Sequence, residues 1–245
     1  MILAETDDWI ALDKPAGVSM ATSSRPGKSG AEAVRRLLEA CGESEREGLL
    51  LVHRLDEGTS GVVLLARSEQ AHRALSLAFQ TKLARKTYRA LVWGHPRPAE
   101  GVWDDPVGRD PSDGRRMRVR ADGKPARTRY RTLSRLPSVA DLVLSPETGR
   151  THQIRVHLAA HGHPIVGDDL YGGATRWRGV RVRAQRQALS AAGRPLLHAE
   201  RIEIRDLGID VEAPLPEDYA RTLAVLSDSP PPRDRDKLRA PSFRR

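Results

Sequence analysis

Apolar residues recur along this chain in two rhythms, one of period two and one of period near 3.6, and their alternation predicts the elements. Residues 8–13 read as a short strand stopped by Pro15 and Gly17. Ser29 then stands as a helix N-cap with Glu32 at the capping-box position. Val34, Leu37, Leu38 and Cys41 follow at i, i+3, i+4 and i+7, which predicts one buried helical face and makes Cys41 a core residue. Residues 49–52 and 62–66 are apolar runs that read as buried strands, joined by the polar, glycine-containing segment 54–61. A second helix begins after Ser68, with Ala71, Ala74, Leu75 and Ala78 in its stripe.

Beyond it the period changes to two. Residues 85–93 put Lys86, Tyr88, Ala90 and Val92 on one side of a strand. Residues 126–133 alternate with Arg127, Arg129 and Arg131 on one face, and residues 139–144 form the next strand. Residues 151–161 return to the helical rhythm, with Ile154 and Leu158 one turn apart; 198–205 is a late strand and 216–227 a closing helix. This order is not a regular βαβα, so the fold class is α+β with a mixed, mostly antiparallel sheet. Residues 1–228 make one domain. The run of prolines and mixed charge over 229–245 reads as a disordered basic tail.

Charge narrows the partner. The 245 residues carry a formal net charge of +9, almost all of the positive charge from Arg, whose planar fork suits phosphate. An Arg-rich basic chain points to a polyanionic partner such as nucleic acid, with a codon-driven bias as the plain alternative. One cysteine excludes an internal disulfide and any multi-cysteine zinc site. The sequence shows no signal peptide and no apolar stretch of about 18 residues, so a cytoplasmic protein is expected.

Candidate chemistry gathers in three places. Arg54-Leu55-Asp56-Glu57-Gly58-Thr59-Ser60-Gly61 joins two strands, where small neighbours would let Asp56 present its carboxylate. Taken alone the segment is equally an ordinary turn. Gly149-Arg150-Thr151-His152-Gln153-Ile154-Arg155 feeds a helix start, where Arg155 could pair with a carboxylate or simply lie at the surface. Lys86-Thr87-Tyr88 could stack a base or only pack. His152, His157, His161 and His163 suggest a metal, but only His157 and His161 share a helical face, so no metal is expected. No phosphate-binding loop, dinucleotide fingerprint or nucleophile elbow is present, and no cofactor is expected.

Five segments together resemble the RluA family of RNA pseudouridine synthases over roughly residues 7–226. They are Leu12-Asp13-Lys14-Pro15-Ala16-Gly17; His53-Arg54-Leu55-Asp56-Glu57-Gly58-Thr59-Ser60-Gly61; Lys86-Thr87-Tyr88-Arg89-Ala90; Gly149-Arg150-Thr151-His152-Gln153-Ile154-Arg155-Val156-His157; and His163-Pro164-Ile165-Val166-Gly167-Asp168. The resemblance implies an isomerase acting on uridine in ribosomal or transfer RNA, on a sheet in two halves with flanking helices and a central active-site cleft. It implies that Asp56 is the catalytic nucleophile, that Tyr88 packs on the target base, that Arg155 pairs with the aspartate, and that Arg54 fills the gap left by a flipped base. Thr59, Lys86, Arg150, His152, Gln153 and Ile154 are the expected substrate contacts.

Many family members carry an N-terminal S4-type RNA-binding domain, and none is matched here. RNA binding is therefore expected to rest on the catalytic domain, acting as a monomer. Segments 115–120 and 176–186 and the Arg127/Arg129/Arg131 face are the candidate contacts. Two other classes compete: a non-catalytic RNA-binding protein on the same fold, and a metal-dependent hydrolase using the 152–163 histidines.

Overall fold

The computed structural model describes residues 1–22, 30–44 and 46–228. The proposed N-cap Ser29 and the tail 229–245 lie outside the described residues. In chain order the elements are β1 (Ile2–Glu5), β2 (Trp9–Lys14), α1 (Gly30–Ala40), β3 (Leu50–Leu51), β4 (Ser60–Ala66), α2 (Glu69–Gln80), β5 (Arg85–Trp93) and β6 (Glu100–Trp103). Then come β7 (Val107–Arg109), β8 (Met117–Val119), β9 (Thr128–Leu136), β10 (Val139–Pro146), α3 (Gln153–Ala160), α4 (Arg183–Ser190), β11 (Leu197–Ile204), β12 (Ile209–Glu212) and α5 (Glu217–Ser227).

The main sheet runs β1-β2-β4-β11-β5-β10-β9-β6, with β3 beside β4 and β12 beside β11. Every pairing in it is antiparallel except β4 with β11, which is parallel and only two residue pairs long, Ser60 with His198 and Gly61 with Ala199. That short seam joins two half-sheets. Gly61 makes the seam possible: at φ +116 its Cβ would lie 2.1 Å from the Ala199 carbonyl oxygen, so no other residue fits.

Each half buries both faces. In the first half α1 packs Val34, Leu37 and Leu38 on one side, while α2 packs Ala71, Leu75 and Ala78 on the other. In the second half α3 covers Ala90, Val92, Leu142 and Leu144. The opposite face, with Leu91, Trp93 and Val139, is covered by Leu189 of α4 and by Tyr219 and Leu226 of α5. Each fully buried aliphatic side chain contributes about 1.5–3 kcal/mol, so aliphatic packing carries the core despite few aromatics.

The expected helices and central strands are present. Residues 139–144 extend as a strand to Pro146, and the helix expected over 151–161 spans Gln153–Ala160. Five strands and one helix are additional. β1, β6 and β12 are four-residue strands, and β7 with β8 forms a separate two-stranded hairpin. Such short, half-exposed strands carry too few alternations to show a period. α4 buries only Gln185 and Leu189, so its Arg-rich sequence reads as surface instead of as a helix.

Candidate active site

A cleft of about 1120 Å³ opens beside the seam. Its lining includes Arg54, Asp56 and Thr59 from the β3–β4 connection, Lys82, Arg85, Lys86 and Tyr88 around the start of β5, and residues 145–155 from the end of β10 into α3. The residues singled out in the sequence thus converge, although they come from segments about 100 positions apart.

The connection that carries Asp56 is fixed from beneath. His53 accepts a hydrogen bond from the Leu64 N–H at Nε2 (2.9 Å), and its ring stacks on Phe79 at 4.6 Å. Leu55 is buried in the α1-side core. The Thr59 N–H closes a turn onto the Asp56 carbonyl (3.0 Å). Lys14, fully buried at the end of β2, donates its ammonium to the carbonyls of Thr59 (2.8 Å), Glu57 (3.2 Å) and Asp56 (3.4 Å). Burial pulls the Lys14 ammonium down to about 8. Arg194 holds the remaining carbonyl of the turn, that of Gly58, at 3.2 Å, while its other nitrogens form two bonds to Asp218 at the start of α5 (2.7 and 2.8 Å). Two cations therefore gather every carbonyl from Asp56 to Thr59, and Asp56 lines the cleft from this tied-down turn.

Arg155 projects from the first turn of α3, and Nη1 lies 3.7 Å from Asp56 Oδ2. Its short bonds go elsewhere: Nε and Nη2 grip the two oxygens of Asp168, each at 2.8 Å. Asp168 is completely buried, and its Oδ1 also accepts from the Tyr171 N–H. The Tyr171 ring lies 5.0 Å from the guanidinium. Asp168 thus aims and partly neutralises Arg155, leaving one edge for Asp56. Asp168 stands in a family-like segment of the sequence, but nothing there marks it as the partner of Arg155. Tyr88 packs against the cores of both halves, at the seam. Burial, with the charge of Asp56 adding to it, pushes its phenol far up, so Tyr88 stays neutral.

The other expected contacts divide. Lys86 lines the cleft with no carboxylate partner among the described residues, and burial lowers its ammonium from the usual range. Arg54 is exposed and donates to Thr151 Oγ1 at 3.4 Å. Arg150 lines the cleft, anchored through Nε to the Pro125 carbonyl (3.0 Å). His152 and Ile154 line it as well. Gln153 and Thr59 do too, but the Gln153 amide is committed to the protein. The Gln153 amide bonds Thr148, the Arg150 N–H, the Arg127 carbonyl and Thr128. Of the basic stretches, Arg127 and Arg129 already share Glu147, and Arg115 and Arg120 pair with Asp113 and Asp122. His157 gives both ring nitrogens to Thr128 and the Asp105 carbonyl, and His161 bonds Asp105. No cluster of metal-ligating side chains occurs among the described residues.

Sequence reasoning missed Lys14, Tyr171 and Arg194 as parts of the site. Lys14 carried a signal: it occupies an inward position at the end of an apolar strand, where a charge needs several acceptors. Arg194, in a stretch to which the sequence assigns no element, carried none.

Comparison with known proteins adds a second line of observation. Residues 8–160 match a family model described as RNA pseudouridylate synthase. A protein of Chloroflexus aurantiacus named as an uncharacterized RNA pseudouridine synthase is 43% identical over 221 residues, covering 88% of this chain and 66% of its own length. Ribosomal large subunit pseudouridine synthase D of Nitrosomonas europaea is 38% identical over 94% of this chain and 66% of its own length. The chain thus spans about two thirds of these curated relatives. Among solved structures, human RNA pseudouridylate synthase domain containing 4 superposes with a TM-score of 0.71 at 27% identity, covering 92% of both chains.

Proposed function

The chain belongs to the RNA pseudouridylate synthase family, and on that premise we propose that it isomerises uridine to pseudouridine in RNA with Asp56 as the nucleophile. The reaction breaks the N1–C1′ bond, turns the uracil, joins C5 to C1′ and moves the C5 proton to N1, so nothing is gained or lost overall. It needs an ionised carboxylate in a pocket that excludes most water, whether the attack falls on C1′ or on the base or leads through a glycal. The observation that carries the reading is the Asp56 carboxylate at the cleft floor, 3.7 Å from a guanidinium that a buried carboxylate holds in place. A nearby cation favours the charged form of a carboxylate as its surroundings dry.

A uridine inside folded RNA reaches such a floor only when extruded, at a few kcal/mol of lost stacking and pairing. Tyr88 offers the face on which the uracil packs, and Arg54, exposed at the rim, is placed to enter the vacated stack. Lys82, Lys86 and Arg150 line the cleft without carboxylate partners among the described residues, which suits the flanking phosphates. Two relatives are named for the large ribosomal subunit, so ribosomal RNA is the first substrate to test.

The test is pseudouridine mapping on ribosomal and transfer RNA treated with wild type, Asp56→Ala and Asp56→Asn. Both variants should lose product while retaining RNA affinity. Full activity in both would remove Asp56 from the mechanism. Binding without product by the wild type on every RNA would favour a non-catalytic RNA-binding role.

A further inference from the structure

His152 and Tyr171 form a unit that the mechanism above does not use. His152 stands just before α3 with φ +56, a left-handed backbone that costs a side-chain-bearing residue about 1 kcal/mol. Its Nδ1 lies 2.9 Å from the Tyr171 hydroxyl, and the two rings meet edge to face. The same hydroxyl accepts the Met117 N–H at 2.9 Å, which anchors the β7–β8 hairpin. Tyr171 is 7% exposed. A buried hydroxyl that accepts one bond needs an acceptor for its own hydrogen, and Nδ1 is the acceptor within reach. Nδ1 must then be bare, and the imidazole hydrogen sits on Nε2, which has no partner among the described residues and belongs to a ring lining the cleft.

We infer that His152 is a neutral hydrogen-bond donor to an acceptor oxygen of the target nucleotide, its tautomer fixed by the positioning residue Tyr171. The inference rests on the proposed uridine isomerisation. Around the ring stand Asp56, Arg54, Arg155 and Asp168, with Arg116 stacked over Tyr171 at 5.6 Å. Burial lowers the imidazole from its usual value and the charge of Asp56 opposes this, with lowering the net result. A neutral donor beside Asp56 adds no second full charge to compete with Arg155.

The experiment uses the full chain labelled with ¹⁵N-histidine, in wild type and Tyr171→Phe. Wild-type His152 should show the Nε2–H tautomer at pH 7. Losing the hydroxyl removes a bond that only the bare Nδ1 accepts, so in Tyr171→Phe protonation becomes easier. The His152 midpoint should rise, the tautomers should mix, and the Met117 amide should lose exchange protection. On RNA, kcat should fall about tenfold, the worth of one hydrogen bond, with RNA affinity unchanged. His152→Asn, which keeps a donor and tolerates left-handed backbone, should retain more activity than His152→Ala. An Nδ1–H tautomer in wild type, or wild-type turnover in Tyr171→Phe or His152→Ala, overturns the inference. Absence of product from the wild type on every RNA overturns instead the function on which it rests.

Discussion

Arg155 touches two carboxylates unequally, and the inequality sets how each residue behaves when changed. Asp168 is buried and takes both short bonds, so Asp168→Ala leaves a desolvated guanidinium without its main partner. Breaking such a pair costs about 3 kcal/mol, read as a lower urea midpoint. In the variant Arg155 is free to collapse onto Asp56, so single-turnover product formation should fall at least as far as folding allows, even at full saturation with RNA. Unchanged stability and rate would show that Asp168 does not support the site. The family resemblance singled out Asp56, Tyr88 and Arg155, each within a family-like segment, and the structure brings all three to one cleft. Asp168 stood in such a segment as well but was given no role there, since the partner that defines it lies 13 positions away and on another element.

The connection between β3 and β4 behaves as a bound object more than as a loop. Lys14 and Arg194 hold its carbonyls, and Arg194 links it to α5 through Asp218. Arg194→Ala should therefore slow turnover about tenfold without weakening RNA binding, and should lower stability by about 2 kcal/mol, with Arg194→Lys intermediate. Steady-state kinetics beside binding isotherms would separate these effects; a change confined to KM would count against a positioning role. The strands and helices that bear the site were readable from their periods, and so was the polar segment between two apolar runs. What its backbone bonds to was not readable, because hydrogen bonds to carbonyls leave no side-chain pattern at the receiving residue.

For the molecule as a whole, the seam between the half-sheets is also a pH-sensitive joint. His198, wholly buried on β11, shares a hydrogen bond of 3.0 Å with Ser60 across the seam, and burial pulls it down to about 4. The unfolded chain binds that proton near its ordinary 6.5, before the folded chain does. Stability from this residue is therefore complete above about pH 6.5 and declines as pH falls toward 4, by about 1.4 kcal/mol per pH unit. Urea denaturation of wild type and His198→Asn across that window should show a shallower slope in the variant; equal slopes would locate the acid sensitivity elsewhere. The α+β class and the split sheet were legible, the first from element order and the second through the family resemblance. The seam itself was not, because it pairs residues 138 positions apart. It also imposes an order on synthesis. A chain emerging from the ribosome displays Asp56 and Tyr88 long before β11 exists to lie between β4 and β5. Until roughly residue 200 has appeared, the two halves lack their shared strand and the turn lacks Arg194. The nascent protein thus passes most of its assembly beside ribosomal RNA with the groups proposed for catalysis made but not yet brought to bear.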